Sequence, residues 1–536
     1  VDTLTVVLED EVSDLDQVTV IAYGTRKKRE LISAVSSIKA DDIKEVPSAS
    51  LETLLQGRMA GVGVNQQSGS PGGGGTNVAV RGYNSLMIDE STDGSPLYVI
   101  DGVPVHSFTS PVTGTNTIAE IDPSTIESVE VLKDAASAAI YGSRAANGVI
   151  LITTKKGRAG EGKFSANFSY SASMLPEAPD QLGGRGERLY HIALQRALRS
   201  AYEVKGKGYY KYPTSYEEAA SHSADYDAFW NGGTGVGVIK VLQDSLNPFF
   251  NNSTNWYKYI FRTGKILNAN LQTSGGSDRM TYLVGAGYYK ETGIMPGSDF
   301  ARVNLLSNLS FTPVHQLSVD CRFYLAYTDR SRGTSARSFG ESFKVEGLTV
   351  DPQYTSSLLS TGGAVEEKML QRLNGQVEDN TSYRLRTNLV LAYEIVKGLS
   401  LSTSVALDYS QGNRNQFTPT YLNPTYKETK SLGEITRDLL VSNENLLAYT
   451  FSIKEKHNFD LLLGLAYDAS KSWSNSGSGS GGPSDNIWYV GSGFPDLIYD
   501  PKIDDYRAMK DYKSDFTETV MVSYFGRLGY NYDKEY

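Results

Sequence analysis

The sequence predicts a small α+β domain followed by an antiparallel transmembrane β-barrel wall, and three observations predict it. After about residue 160, apolar and polar residues alternate with period two along roughly ten segments. The connections between those segments are short on one rim and mostly long on the other. Ahead of them, residues 54–157 read as a compact mixed α/β unit.

The bulk numbers are compatible with that class. Among 536 residues no run of 18 apolar residues occurs, so no transmembrane helix is expected. A membrane is not excluded, because a barrel strand needs only about ten alternating residues and its mean hydropathy looks soluble. The formal charge of −10 argues against nucleic acid, whose phosphates need clustered Lys and Arg. Cys321 is the single cysteine, which excludes an internal disulfide and a thiolate metal cluster. It falls on the apolar side of an alternating strand, as a small buried or lipid-facing hydrophobe. Val1 is followed by no basic and apolar leader, so the signal peptide of an exported protein would lie outside this chain.

The alternation is plain in three places. Leu399, Leu401, Thr403, Val405, Leu407 and Tyr409 alternate with Ser400, Ser402, Ser404, Ala406, Asp408 and Ser410. Leu385, Leu389, Leu391, Tyr393 and Ile395 alternate with Arg384, Arg386, Asn388 and Glu394, and Phe459 to Tyr467 forms a third stripe. A soluble sandwich has the same pattern. Connection lengths separate the two. The GGSDR turn, the PVH turn, Lys397–Gly398 and Lys454–Lys456 are short. Met174 to Ile266, Asp329 to Ser382, a stretch from Gln411 and Ser470 to Phe516 are long, with TGIMPGSD between these extremes. Outer-membrane barrels sort their loops this way, with short periplasmic turns and long extracellular loops. Tyr288, Tyr289, Tyr327, Tyr393, Tyr409, Tyr467, Tyr530 and Tyr532 lie near strand ends and suit an interfacial girdle, although β propensity alone favours the same rings.

The last alternating segment, Val520 to Tyr532, runs into Asp533–Tyr536 where a turn is due. Ten strands close around little more than their own side chains. A domain of over a hundred residues would not fit inside, so either a second segment completes the wall or this chain is part of a longer protein. Within the α/β unit, Ser128–Leu132 and Val149–Thr154 read as strands joined by a helical turn at Lys133–Tyr141 and the GSRAANG turn, a βαβ-like arrangement. SGSPGGGG at Ser68–Gly75 lacks the GK[ST] of a phosphate loop and reads as a flexible loop.

The motifs LLQGRMAGVGV, VAVRGYNS, PLYVIDGVPV and IESVEVLKDAASAAIYGSRAANGVILITTKKG resemble the plug of TonB-dependent outer-membrane transporters of the SusC/RagA family. WYKYIFRTG, GGSDRMTYLVGAGYYKETGI and SYFGRLGYNYDKEY resemble that family's barrel. The resemblance covers nearly the whole chain, and it implies a barrel of about 22 strands, of which about twelve are absent. It divides the chain into the end of a carboxypeptidase-regulatory-like domain (1–12, with Thr3–Leu8 as its last strand), a TonB box and linker (13–36), a plug (37–160) and the first part of the barrel (161–536). The box is Leu15, Asp16, Gln17, Val18, Thr19, Val20, Ile21, Ala22, Tyr23 and Gly24, with Gln17 where an acidic residue is common. A short β-prone segment of this kind adds to a partner's sheet edge through backbone hydrogen bonds. Arg26–Glu30 reads as a solvated spacer.

The family implies an outer-membrane location with the plug and box facing the periplasm, and a SusD-like surface lipoprotein as lid. It also implies pulling by the TonB C-terminal domain, import of oligosaccharides or oligopeptides, outer-membrane lipid around the wall and a dimer of transporter–lipoprotein pairs. A passive surface receptor or adhesin and a siderophore or cobalamin importer are the alternatives. No enzyme is expected: the five histidines form no HExxH pair, and neither a GxSxG elbow nor a Cys–His arrangement occurs. No cofactor or metal is expected either. Candidate substrate contacts are Arg81, Tyr83, Asn84, His106 and Phe108 in polar or Gly-flanked plug loops. Trp230, Trp256, Trp473 and Trp488, placed in the long connections, are candidates as stacking faces.

Overall fold

A computed structural model describes residues 18–21, 24–27 and 35–39, most of 48–82, 95–105, most of 117–183, 253–332 and most of 375–532. A leader hairpin pairs β1 (Val18–Ile21) with β2 (Gly24–Lys27). The α/β domain holds β3 (Val35–Lys39), α1 (Leu51–Leu55), β4 (Val62–Gln66), β5 (Thr76–Val80), β6 (Leu97–Ile100), β7 (Val103–Val105), β8 (Ile126–Leu132) and β9 (Val149–Thr154). Its central sheet has the order β3-β8-β9-β6-β7, and β4-β5 form a separate hairpin. Strands β6 and β9 are buried on both faces, as their continuous apolar runs LYVI and VILI require. One face packs on α1 and the β4–β5 hairpin through Leu51, Leu54, Leu55, Val78 and Val80, and the other on Ala138, Tyr141 and Ala145.

The βαβ-like expectation is corrected here. Strands β8 and β9 are antiparallel neighbours, and the parallel pair is β6 with β9. Within the expected helical turn at Lys133–Tyr141, Ala138 N–H donates to the Asp134 carbonyl at 3.1 Å, an α-type bond, and a 3₁₀ segment follows at Ala139–Ala145, with 135–137 outside the described set. Gly142, with φ +66°, kinks that segment.

The wall is a ten-stranded antiparallel sheet. In chain order come β10 (Gly160–Ser173), α2 (Trp256–Ile260), β11 (Gly264–Ser277), β12 (Met280–Thr292), β13 (Ser298–Val314), β14 (Leu317–Arg332), β15 (Val377–Val396), β16 (Leu399–Thr418), β17 (Lys430–Ile453) and β18 (His457–Ser480). A rim hairpin, β19 (Leu497–Asp500) with β20 (Asp505–Ala508), precedes the last wall strand, β21 (Lys510–Tyr532). Each wall strand pairs with the next, and β10 and β21 stand at the two edges.

The wall is inside-out relative to a soluble sheet. On β15, Leu389, Leu391, Tyr393 and Ile395 are exposed, whereas Ser382, Arg384, Arg386 and Asn388 are buried. Cys321 shares the exposed face with Phe323 and Leu325. That assignment excludes a sandwich, which would bury the leucines. Strands β15 to β18 and β21 run for 20 to 24 residues. A strand that crosses a bilayer needs only about ten residues, so these strands are about twice that length.

Two connection lengths differ from expectation. The stretch from Gln411 continues as strand to Thr418, and the loop from Ser470 is strand as far as Ser480 and again from Lys510. Serines and glycines there erase the apolar half of the alternation, while the backbone ladder with β17 and β21 continues in register. Tyr289, expected in the outer girdle, points inward and is buried, leaving Tyr288 on the outer face. The other girdle rings gain company at the short-turn rim, where Tyr449, Phe451, Phe459 and Tyr530 form a continuous ring stack.

Two carboxylates lie inside the α/β domain. Glu52 on α1 has no exposed surface and accepts a hydrogen bond from the Ser50 hydroxyl, and Glu130 on β8 is 2 % exposed. Burial pushes both up to about 7, helped at Glu130 by the charge of Glu127. Their folded values lie above the unfolded ones, so the stability they contribute is complete below about pH 4.5 and is lost as pH rises through about 7. The difference is of the order of 3 kcal/mol per group. Hydrogen exchange corrected for intrinsic rate is expected to show 51–55 and 126–132 better protected at pH 5 than at pH 8. Glu52→Gln flattens that dependence; equal protection of the wild type at both values would refute it.

Candidate functional site

The α/β domain docks on the lumen face of β11 to β15 through polar contacts, and the wall supplies most of the donors. At the long-connection end, Pro71 and Gly72 of the Gly-rich loop bond to the wall. Gly72 N–H donates to Glu291 of β12 at 3.1 Å, and Arg330 Nε of β14 donates to the Pro71 carbonyl at 3.1 Å. Gly72 has φ +80°, and a Cβ there would sit 2.6 Å from the Phe300 ring, so glycine is required by backbone and by space.

One layer below, the segment 119–122 carries the tightest cluster. Arg302 of β13 donates to the carbonyls of Ala119 and Ile121 at 2.8 and 3.2 Å and lies 3.5 Å from the Asp122 carboxylate. Its guanidinium also stands over the Tyr289 ring, 5.6 Å from the centroid. Tyr324 of β14 donates to the Glu120 carbonyl at 2.7 Å and accepts from Asp122 N–H at 3.1 Å. The Glu120 carboxylate accepts from Ser382 at 2.6 Å and Arg384 at 3.3 Å, both on β15. Arg384 forks onto Asp408 of β16 at 2.9 and 2.8 Å, and Arg386 joins the same carboxylate at 2.7 Å. Charge-assisted forks of this kind hold geometry better than single contacts.

Asp101 makes the next contact. It opens the Asp-Gly turn between β6 and β7 with φ +51°, a left-handed position that Asp tolerates. Its carboxylate accepts from Thr154 N–H and hydroxyl at 3.0 and 2.7 Å, and its carbonyl accepts from Arg322 and Asn388 at 3.1 and 3.3 Å. Asn308 donates to the Lys155 carbonyl at 2.6 Å, and Asp101, Thr154, Asn308, Arg322 and Asn388 line a cavity of about 30 Å³. On the β18 flank the polarity reverses: Arg144 of the domain pairs with Asp468 of the wall at 3.0 Å.

A second glycine makes room for this seam. Gly287 of β12 lies between Asn270 and Asn304 in the ladder, and a Cβ there would come within 2.5–2.6 Å of Asp122 Oδ2 and both asparagine oxygens. The missing side chain leaves the hole into which Asp122 inserts.

None of these seam residues was marked as a site from the sequence. The available signals were the Asp-Gly turn and the charges on the polar face of alternating strands, such as Arg384 and Arg386. Of the marked residues, Arg81 is half exposed, has φ +57° and pairs with Asp134 at 2.5 Å. Trp256 starts α2 with no exposed surface, and Trp488 is exposed on the rim and stacks on Phe417 at 6.4 Å. Trp473 is not in a connection: it lies within β18, on the outer face, against Phe516 at 5.5 Å. Val18, Thr19, Val20, Ile21 and Gly24 lie in the leader hairpin. Thr3–Leu8, Leu15, Asp16, Gln17, Ala22, Tyr23, Lys28–Glu30, Tyr83, Asn84, His106, Phe108 and Trp230 lie outside the described residues.

Glu120→Ala is expected to cost about 3–5 kcal/mol, because it strands part of the buried Arg384 charge. The double variant Glu120→Ala/Arg384→Ala is expected to cost less than the two single losses summed, and chemical unfolding of the four proteins measures the coupling. Gly287→Ala should weaken docking by about 1–3 kcal/mol through overpacking, read as faster hydrogen exchange at 119–122 with the wall unchanged.

Residues 27–149 match the TonB-dependent receptor plug domain family. The chain is 28% identical over 544 residues to TonB-dependent receptor P26 of Formosa agariphila, covering 97% of this chain and 47% of that protein. It is 32% identical over 309 residues to the TonB-dependent receptor SusC of Bacteroides thetaiotaomicron, covering 57% of this chain and 26% of SusC. It thus spans about half or less of the length of these relatives. The RagAB peptide importer in its open-open state is similar in fold, with a TM-score of 0.72, 23% identity and 97% of this chain covered against 55% of that one. The chain is SusC/RagA-like: a TonB-dependent receptor plug domain set against a ten-stranded antiparallel wall that resembles the barrels of these transporters.

Proposed function

We propose that the protein containing this chain imports oligomeric nutrients, oligosaccharides or oligopeptides, across the outer membrane under the pull of TonB. Members of the TonB-dependent receptor family are outer-membrane proteins, and here the apolar face of the wall is the one turned outward. The observation that carries the proposal is the seam. The plug is held in the lumen by polar contacts, which can break under a pulling force and reform afterwards.

In this reading residues 37–160 are the plug, 161–536 the first part of the barrel, 13–36 the box and linker, and 1–12 the end of a carboxypeptidase-regulatory-like domain. TonB pairs with Leu15–Gly24 on the periplasmic side. A SusD-like lipoprotein closes the extracellular mouth, in a dimer of such pairs. Arg81, Tyr83, Asn84, His106 and Phe108 contact substrate from the plug, and Trp488 contributes from the rim, where it is exposed.

Deleting residues 15–23 from the full-length protein is expected to abolish growth on the cognate nutrient while leaving surface binding intact. Growth unaffected by the deletion would favour a passive receptor or adhesin instead.

A further inference from the structure

Four wall arginines meet the plug in neighbouring layers: Arg302 on β13, Arg322 on β14, and Arg384 and Arg386 on β15. None has a side chain more than 14% exposed. Among the described residues the wall bonds one carboxylate to them, Asp408, on Arg384 and Arg386, and a second, Asp438, acts on Arg384 through its charge. The remaining compensation comes from the plug. Asp122 lies 3.5 Å from Arg302, Asp101 3.8 Å from Arg322, and Glu120 3.3 Å from Arg384. When the plug withdraws, these three carboxylates leave together. Four arginines then face the two wall aspartates Asp408 and Asp438, so positive charge is left in excess on that flank.

The opposite flank behaves in the reverse sense. There the wall supplies Asp468 and the plug supplies Arg144, so withdrawal leaves an acidic surface. A passing chain with negative groups is therefore repelled by β18 and drawn to β13–β15. A guanidinium fork accepts a carboxylate in two parallel hydrogen bonds, which hydroxyls of an uncharged chain do not reproduce.

We propose that Arg302, Arg322, Arg384 and Arg386 determine specificity by selecting oligomers that carry carboxylates, which take the places of Asp101, Glu120 and Asp122 as the plug leaves. The inference rests on the import reading above and narrows its substrate class. The carboxylates belong to uronic acid units of a glycan or to acidic side chains of a peptide, and the same wall chemistry serves both.

The test uses cells producing the full-length transporter and four fluorescent probes of matched length: an oligogalacturonate, a glutamate-rich peptide, a maltooligosaccharide and a lysine-rich peptide. Uptake that depends on residues 15–23 is expected for at least one acidic probe, about tenfold above the uncharged and cationic ones. Which acidic probe enters identifies the source of the carboxylates. Arg322→Gln and Arg302→Gln should each shrink the ratio of acidic to uncharged uptake several-fold, with Arg322→Lys restoring part of it. Immunoblots of the outer membrane control for folding. A merely structural role would scale the uptake of all probes together and leave the ratio alone. The inference is overturned if neither acidic probe enters, if uncharged or cationic probes match them, or if the ratio survives both glutamine variants. Uptake of every probe without the leader would instead overturn the import reading.

Discussion

The structure depends on one constraint: a wall that turns its apolar side chains outward has to satisfy its polar ones within. In a soluble sheet the charges face water and need no partner. Here Arg302, Arg384, Arg386 and Asn388 are enclosed, and an enclosed guanidinium without a partner is strongly destabilising. The plug answers that demand with backbone carbonyls at Pro71, Asp101, Ala119, Glu120, Ile121 and Lys155, and with three carboxylates. Wall and plug are thus complementary in hydrogen bonding more than in apolar contact.

That complementarity explains details which look unrelated when taken singly. Gly72 and Gly287 carry no side chain because Phe300 and Asp122 occupy the space a Cβ would need. Asp101 adopts a left-handed turn, which aims its carbonyl at the wall and its carboxylate back at Thr154. Tyr289 faces inward by the strand's alternation, on the same face as its ladder partner Arg302, which lies over its ring. Each is a local departure from expectation that serves the seam. The apolar core of the plug lies elsewhere, between the sheet and α1, and it holds the domain together independently of the wall.

Much of the architecture was legible from period and spacing. The turns at 278–279, 315–316 and 397–398 fall where polar residues interrupt the alternation, and β9 spans Val149–Thr154 as expected. Other features were hidden for stated reasons. The upper half of β18 reads as a loop because serine and glycine carry no apolar signal, yet its backbone is paired throughout. Trp473 was assigned to a connection for the same reason. The parallel partner of β9 is β6, on the far side of β9 from β8, and that contact joins residues about fifty positions apart in the chain. The wall contacts of the Gly-rich loop were not legible because Glu291 and Arg330 lie more than two hundred residues away.

The sequence by itself determined the two-part organisation, the short and long rims, and the resemblance to a plug and barrel. These follow from side-chain periodicity and local motifs, and both are properties of neighbouring residues. Only the tertiary structure decided which face of the wall is buried, which charges meet, and where the plug is held. Ion pairs such as Glu120–Arg384 join residues 264 positions apart, and no local pattern encodes that distance. The candidate site is made of such pairs, so it became visible only once the wall had placed its arginines around the plug.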